Sequence, residues 1–100
     1  MTKGGYIYIL SNQHNTTLYI GVTSNLVNRV YEHKTKRYSN SFSAKYNLNK
    51  IIYYEFFASI AEAINRERYL KSKKRNYKEQ LINSINSEWK DLWYDIQDCI

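Results

Sequence analysis

Hydrophobic residues form two short runs near the N-terminus, and seven polar residues separate them. The runs, Tyr6–Leu10 and Leu18–Val22, are rich in β-branched and aromatic residues. Two such runs joined by a turn-forming segment predict an antiparallel hairpin. Because side chains alternate between the faces of a strand, burial of the aliphatic residues together would place Tyr8 and Tyr19 side by side on the opposite face. Gly21, beside them, leaves space for a backbone or a ligand to approach.

Capping residues mark where the predicted helices begin. Ser24 or Asn25 can cap a first helix, which carries a stripe of apolar residues at one-turn spacing. Capping-box pairs, which bond reciprocally across a first turn, follow at Ser59 with Glu62 and at Asn76 with Glu79. After the hairpin we expect a helix to about residue 33, a basic loop at 34–48, a strand at 51–57, and helices at about 60–73, 76–85 and 89–96.

The element order ββαβααα predicts an α+β fold, with a small three-stranded antiparallel sheet flanked by helices. A chain of 100 residues without proline predicts one domain, with a core at about 5–85 and a helical extension at about 86–100. No apolar run approaches the roughly 18 residues of a membrane span, and the first run is too short for a signal peptide. These features predict a cytoplasmic protein. Cys99 is the only cysteine, which excludes an internal disulfide.

Positive charge is concentrated in the middle of the chain. The net charge is +6, but residues 29–78 hold 13 lysines and arginines against four glutamates, and residues 79–100 carry a net −4. Of the 16 aromatic residues, 11 are tyrosines. Basic side chains interleaved with aromatic rings suit a polyanionic partner, since lysine and arginine bind phosphates and rings stack on bases. The alternative is that tyrosine serves only as a strand-forming residue in an ordinary basic protein.

One acidic residue lies on an apolar helix face. Glu67 falls near the middle of the stripe that contains Ala63, Ile64 and Leu70. A carboxylate on a buried face is costly unless it is paired or holds a metal ion. Glu67 is therefore a candidate functional carboxylate, and the alternative is a simple ion pair with Lys71, four residues on.

Arg29 and His33 are also four residues apart, so both lie along one edge of the first helix's apolar stripe. At such an edge an arginine could hold a phosphate, and a histidine could accept a proton. The alternative is a solvated helix face without a chemical role.

In chain order, these residues resemble the motifs of the GIY-YIG nuclease family, and more narrowly its small stand-alone bacterial members. The resemblance rests on Gly5-Tyr6-Ile7-Tyr8, Leu18-Tyr19-Ile20-Gly21-Val22-Thr23, Arg29, His33, Arg66-Glu67 and the segment 86–92. It covers nearly the whole chain. It implies a ββαβα core and metal-dependent hydrolysis of a phosphodiester.

The resemblance assigns catalytic roles to five residues: Tyr8, Tyr19, Arg29, His33 and Glu67. Glu67 matches the family's metal-binding carboxylate and would hold one Mg²⁺ or Mn²⁺. Two departures stand out. Tyr6 occupies the position of the first motif's glycine, and the asparagine that often follows the carboxylate could be Asn76, Asn83 or Asn86.

The resulting prediction is a divalent-metal-dependent DNA endonuclease, structure- or repair-directed and of low sequence specificity, acting on branched, damaged or single-stranded DNA. Arg29 would bind a phosphate oxygen, while Tyr8, Tyr19 and His33 stay open as the general base. The runner-up is a nucleic-acid-binding domain without turnover, and a third possibility is a protein-interaction domain. The predicted phosphate contacts are Lys34, Lys36, Arg37, Lys45, Lys73, Lys74 and Arg75.

Overall fold

A computed structural model describes residues 4–38 and 40–97, so Cys99 lies outside the described residues. Three strands form one antiparallel sheet in the order β2-β1-β3. Helices pack on both faces, which confirms the predicted α+β architecture. The elements in chain order are β1 (Gly5–Ser11), β2 (Leu18–Thr23), α1 (Leu26–Lys34), α2 (Phe42–Lys45), β3 (Lys50–Phe57), α3 (Ile60–Lys71), α4 (Arg75–Ile85) and α5 (Trp93–Gln97).

The hairpin of β1 and β2 has the predicted facing. Tyr8 pairs with Gly21 and Leu10 pairs with Tyr19, and residues directly opposite in an antiparallel pair share a face. The side chain of Asn12 organises the turn, since its Oδ1 accepts hydrogen bonds from the backbone N–H groups of Thr16 and Thr17 at 2.8 and 3.1 Å. Tyr8 and Tyr19 therefore lie on one side of the sheet.

Both faces of the sheet are buried, including the face that carries Tyr8. On one face, Ile7 and Ile9 pack with α3 and α4. On the other face, Tyr8 and Leu10 pack with α1 and with the C-terminal segment that contains Leu92. Tyr8 is consequently only 2% exposed, because the order β2-β1-β3 makes β1 the central strand with covering elements on both sides.

The structure contains one helix that the sequence pattern does not predict, and two predicted helix starts are wrong. The expected loop at 34–48 contains α2, whose N-cap Ser41 accepts the backbone N–H of Ala44 at 3.2 Å. Helix α4 begins at Arg75 with Lys74 at its N-cap position, so Asn76 lies inside the helix instead of capping it. The helix predicted from residue 89 is shorter, and α5 begins at Trp93. Trp89 cannot belong to it, because its φ of 53° is a left-handed conformation that a helix does not accommodate.

Polar contacts of Asn86 and Asp91 hold the C-terminal segment against β3. Asn86 is buried, and its Nδ2 donates to the carbonyl oxygens of Ile52 at 3.0 Å and Lys90 at 2.9 Å. Asp91 Oδ1 accepts the backbone N–H of Ile51 at 3.2 Å, and its Oδ2 accepts from Lys34 Nζ at 2.5 Å.

Among the described residues, no helix is long and apolar enough to cross a bilayer.

Replacing Asn86 with alanine is expected to lower the free energy of unfolding by about 2 kcal/mol, because buried backbone groups lose their partners. Urea denaturation checks this as a lower midpoint at an unchanged slope. The matched control is Asn76→Ala, which removes an exposed asparagine from α4 and should leave the midpoint almost unchanged. An equal effect from both variants would contradict this role of Asn86.

Candidate active site

Three aromatic residues from separate elements meet at the β2 edge of the sheet. Tyr8 comes from β1, Tyr19 from β2 and His33 from the last turn of α1. The Tyr8 hydroxyl lies 3.0 Å from His33 Nε2. The ring centroids of Tyr8 and Tyr19 are 6.4 Å apart, and the His33 ring lies 5.7 and 5.8 Å from them. Residues that are widely separated in the chain thus form one contact cluster.

Gly21 makes room for the Tyr8 ring. A Cβ placed at Gly21 would lie 2.4 Å from both Cζ and the hydroxyl oxygen of Tyr8, far inside van der Waals contact. Even alanine at position 21 would therefore displace the phenol from His33. The close approach that the sequence predicted at this glycine is made by a side chain of the candidate site.

His33 is held from its other side by a serine that the sequence patterns did not identify. Its Nδ1 lies 2.6 Å from Ser43 Oγ, and Ser43 Oγ lies 3.2 Å from Ser41 Oγ. Ser43 is buried in α2. A complete chain of donors results when Tyr8 donates to Nε2, Nδ1–H donates to Ser43, and Ser43 donates to Ser41. No periodicity marks Ser43, and only its place in a polar segment next to the predicted helix hinted at a role.

Burial determines the protonation states of Tyr8 and His33 at neutral pH. Burial, reinforced by the neighbouring Tyr19, raises the pKa of Tyr8 well above its usual value; Glu67 and Glu32 raise it further and Arg29 lowers it. Burial and the positive charge of Arg29 lower the pKa of His33 below its usual 6.5, against an opposing effect of Glu32. A neutral phenol therefore faces a neutral imidazole, which is able to accept the phenol's proton.

Arg29 lies on α1 at the rim of this cluster. Its Nη1 is 3.4 Å from Glu32 Oε1, and Arg37 Nη1 is 3.9 Å from the other oxygen of the same carboxylate. The Arg29 side chain remains partly exposed, so its guanidinium can still meet a phosphate. Glu32 is a second residue that the sequence patterns did not identify, and it orients the two arginines.

Glu67 extends from α3 and is largely buried, with 17% of its side chain exposed. Its charge reaches Tyr8, as the effect on that residue's pKa shows. The predicted alternative, the pair with Lys71, is also present, with Nζ and Oε2 3.5 Å apart and Lys71 half exposed. Such an exposed i,i+4 pair is worth only a few tenths of a kcal/mol, so it leaves the carboxylate available for a stronger cation.

The comparison with known families shows the family to which this fold belongs. The family described as the GIY-YIG catalytic domain matches residues 4–83. The chain belongs to the GIY-YIG nuclease family. This match includes every element from β1 to most of α4, and thus all five predicted catalytic residues.

Relatives of the GIY-YIG chain carry the name UPF0213 protein. One from Clostridium perfringens is 41% identical over 83 residues, covering 79% of this chain and 83% of the relative. One from Natronomonas pharaonis is 35% identical over 86 residues, covering 82% and 94%. One from Syntrophus aciditrophicus is 32% identical over 77 residues, covering 77% and 87%. No solved structure matches the chain significantly.

The GIY-YIG family typically uses a divalent metal, and the carboxylate of Glu67 is the kind of oxygen ligand that a hard cation prefers. Among the described residues, no three or more His, Cys, Asp or Glu side chains are grouped so that they could hold a metal ion together. Glu67 would therefore be a single carboxylate ligand. Mg²⁺ is often bound in this way, with one or two carboxylates and the remaining positions taken by water and substrate phosphate.

Two of the predicted phosphate contacts have several hydrogen-bond partners within the protein, and the other five have fewer: Lys36 bonds Asn47, and Arg37 pairs with Glu32. Lys34 Nζ is held by Asp91 and by the backbone oxygen of Asn49, and Arg75 bonds Glu79 and the backbone oxygens of the β1–β2 turn. The others are Lys36, Arg37 and Lys45 around α2, and Lys73 and Lys74 between α3 and α4. We therefore assign structural roles to Lys34 and Arg75.

The three asparagines that could match the family's motif have different surroundings. Asn86 is buried and bonds backbone, as described above, and Asn83 Oδ1 accepts from Trp89 Nε1 at 2.6 Å. Asn76 is exposed on α4. The described contacts bring none of the three to Tyr8 or His33, so they do not enlarge the candidate site.

Proposed function

We propose that this protein is a divalent-metal-dependent endonuclease that hydrolyses DNA phosphodiester bonds. The observation that carries the proposal is the hydrogen-bonded chain of side chains from Tyr8 through His33 to Ser43. The positive charge of Arg29 acts on the pKa values of Tyr8 and His33, and the charge of Glu67 acts on that of Tyr8. Hydrolysis of a phosphodiester requires a base near the attacking water and positive charge near the phosphate oxygens. The cluster supplies both.

Glu67 would hold the metal ion. Bound there, a divalent cation would polarise the phosphoryl oxygen and neutralise developing negative charge. Arg29 would bind a second phosphate oxygen, because a guanidinium donates two parallel hydrogen bonds to an oxyanion. Together these residues would fix the phosphate at the β2 edge of the sheet.

Tyr8 would receive the proton of the attacking water. A phenol with a raised pKa is a poor base by itself, but the Tyr8 oxygen can accept a proton as its own O–H proton passes to His33 Nε2. Proton transfer leaves an imidazolium, whose Nδ1–H remains bonded to Ser43. Tyr19 would line the site beside this pair. Of the three candidate bases, this geometry favours Tyr8 acting together with His33.

The outward-facing basic residues would bind the flanking DNA through its phosphates: Lys36, Arg37, Lys45, Lys73 and Lys74. Contacts to phosphates position a nucleic acid without reading its sequence. We therefore propose low sequence specificity, and recognition that depends on structure or damage.

The decisive experiment incubates purified protein with supercoiled plasmid and with branched or single-stranded DNA, in Mg²⁺, Mn²⁺ or EDTA. Cleavage that requires the metal and is lost in Arg29→Ala supports the proposal. Tight, salt-sensitive binding without cleavage in either metal would instead identify a nucleic-acid-binding domain.

Ser43→Ala is expected to reduce cleavage about tenfold. The Nδ1–H of His33 loses its acceptor, so the imidazole is no longer fixed in the tautomer that leaves Nε2 free to accept a proton. The specific readout is the ¹⁵N shifts of the His33 ring, which should move from one dominant tautomer to a mixture. Ser43→Thr keeps the hydroxyl and should restore both. An unchanged tautomer in Ser43→Ala would contradict this positioning role.

A further inference from the structure

Helix α2 presents two aromatic rings to solvent directly beside the candidate active site. Within this four-residue helix and its C-cap, Ser43 and Ala44 are buried while Phe42 is 49% exposed and Tyr46 is 45% exposed. The buried side supports His33. The two rings contact each other and Tyr19, but about half of each stays open to solvent, and adjoining exposed aromatic surface is typical of a binding site.

The two rings continue the cluster of the active site outward. Phe42 stacks on Tyr19 with centroids 6.1 Å apart and an interplanar angle of 28°, and Tyr46 lies 4.6 Å beyond Phe42. Tyr19 itself contacts the rings of Tyr8 and His33. A line of aromatic rings thus runs from the buried phenol to the surface, and its outer two members are accessible.

Basic residues surround the outer end of this line. Lys45 places its Nζ 5.8 Å from the centroid of the Tyr46 ring. Lys36 Nζ bonds Asn47 Oδ1 at 2.6 Å, immediately after Tyr46. Rings with cations at their edge match the alternation of bases and phosphates along a nucleic-acid strand.

We propose that Phe42 and Tyr46 form a stacking site for an unpaired nucleobase of the substrate strand; this rests on the proposed nuclease function. A ring binds the face of a base, and in a duplex that face is covered by the neighbouring base pairs. The site therefore selects single-stranded or locally unpaired nucleic acid. It also places the phosphate next to the bound base in reach of the site at Tyr8.

A second aromatic cluster shows what distinguishes this one. Tyr69 and Tyr77 are also exposed, but Lys73 Nζ lies 4.6 Å from the Tyr69 centroid and Arg66 Cζ lies 5.5 Å from it. Two cations lie over the Tyr69 ring, whereas one lies over Tyr46, at 5.8 Å, and Arg66 is fixed by Glu55 at 2.9 and 3.1 Å. The rings of α2 combine accessibility with direct contact to the candidate active site.

The test measures binding of an oligonucleotide that carries one 2-aminopurine, in EDTA so that cleavage does not contribute. We expect the single strand to bind more tightly than the matched duplex and its fluorescence to be quenched by stacking. Tyr46→Ala should weaken single-strand binding about tenfold and abolish the quenching, whereas Tyr46→Phe should retain both. Tyr94→Ala, which removes a ring that is 79% exposed on α5, is the matched control and should change neither.

The outcomes separate this inference from the proposed function. If the single strand binds equally well to wild type, Tyr46→Ala and Phe42→Leu, the stacking site is wrong and the proposed nuclease function is unaffected. If sedimentation shows that Tyr46→Ala dissociates an oligomer, the rings bind another copy of the chain and the inference is overturned. If wild type binds no nucleic acid at all, the proposed function falls together with it.

Discussion

Glu67→Gln is expected to reduce metal-dependent DNA cleavage by at least about 100-fold, because the neutral amide cannot hold a divalent cation that stabilises several kcal/mol of developing charge. Affinity for DNA in EDTA should not decrease, since the substitution removes a negative charge from a surface that binds phosphates. Plasmid nicking measured across a range of Mg²⁺ and Mn²⁺ concentrations checks the first effect, and fluorescence anisotropy checks the second.

A separate readout connects this effect to the ion itself. Binding of Mn²⁺ to the protein, followed by electron paramagnetic resonance, should weaken in Glu67→Gln and remain unchanged in Glu88→Gln, which alters an exposed glutamate in the C-terminal segment. Wild-type cleavage by Glu67→Gln would show that the carboxylate serves only its ion pair with Lys71. A binding domain without turnover would show no cleavage in either protein.

Tyr8→Phe is the second variant with a large expected effect. It removes one oxygen from a buried ring and deletes the hydrogen bond to His33, so we expect the cleavage rate to fall about 10²- to 10⁴-fold, the usual contribution of a positioned acid or base. The ring stays in place, but His33 Nε2 loses its partner, so the midpoint of thermal unfolding should fall modestly, as in other variants that remove one buried hydrogen bond. Single-turnover cleavage at saturating metal concentration isolates the chemical step.

The pH dependence follows from the direction of the His33 pKa shift. Protonated His33 cannot accept the Tyr8 proton, so wild-type activity should be constant around neutral pH and decline as the pH falls through the histidine's lowered pKa, below 6.5. The residual activity of Tyr8→Phe should lack this decline. A decline centred above pH 6.5 would contradict the neutral imidazole inferred for the resting site.

Tyr53→Phe is a matched control for Tyr8→Phe. Tyr53 is also buried, and its hydroxyl donates to Glu55, which Arg66 binds in turn. Burial raises its pKa as well, and the hydrogen bond to Glu55 adds to the effect. This variant should lose stability but keep the cleavage rate at temperatures where it remains folded. Loss of activity in both variants would indicate a general requirement for buried phenols.

Local patterns in the sequence predicted most of the framework. The two β-type runs and their polar connection defined the hairpin, because residue spacing alone determines which strand positions share a face. The predicted cap at Ser59 is confirmed, and of the two candidates Ser24 and Asn25 the structure selects Asn25; their side chains accept the backbone N–H groups of Glu62 and Asn28. The order of Tyr8, Tyr19, Arg29, His33 and Glu67 was sufficient to recognise the family.

The boundaries that failed depend on contacts distant in sequence. Asn76 with Glu79 has a capping-box spacing, yet Arg75 bonds the carbonyl oxygens of the β1–β2 turn and α4 begins there instead. The left-handed Trp89 allows the chain to turn toward β3, where Asp91 holds it. Propensity is a weak determinant where tertiary contacts compete with it.

The sequence by itself determined the strands, the main helices and the candidate residues for the proposed chemistry, because these depend on periodicity and residue type. Only the tertiary structure decided that Tyr8 is buried, that Ser43 supports His33, and that Phe42 and Tyr46 face outward next to them. These properties depend on how α1, α2 and the C-terminal segment cover the central strand. Burial then sets the pKa values of Tyr8 and His33, which no local pattern encodes.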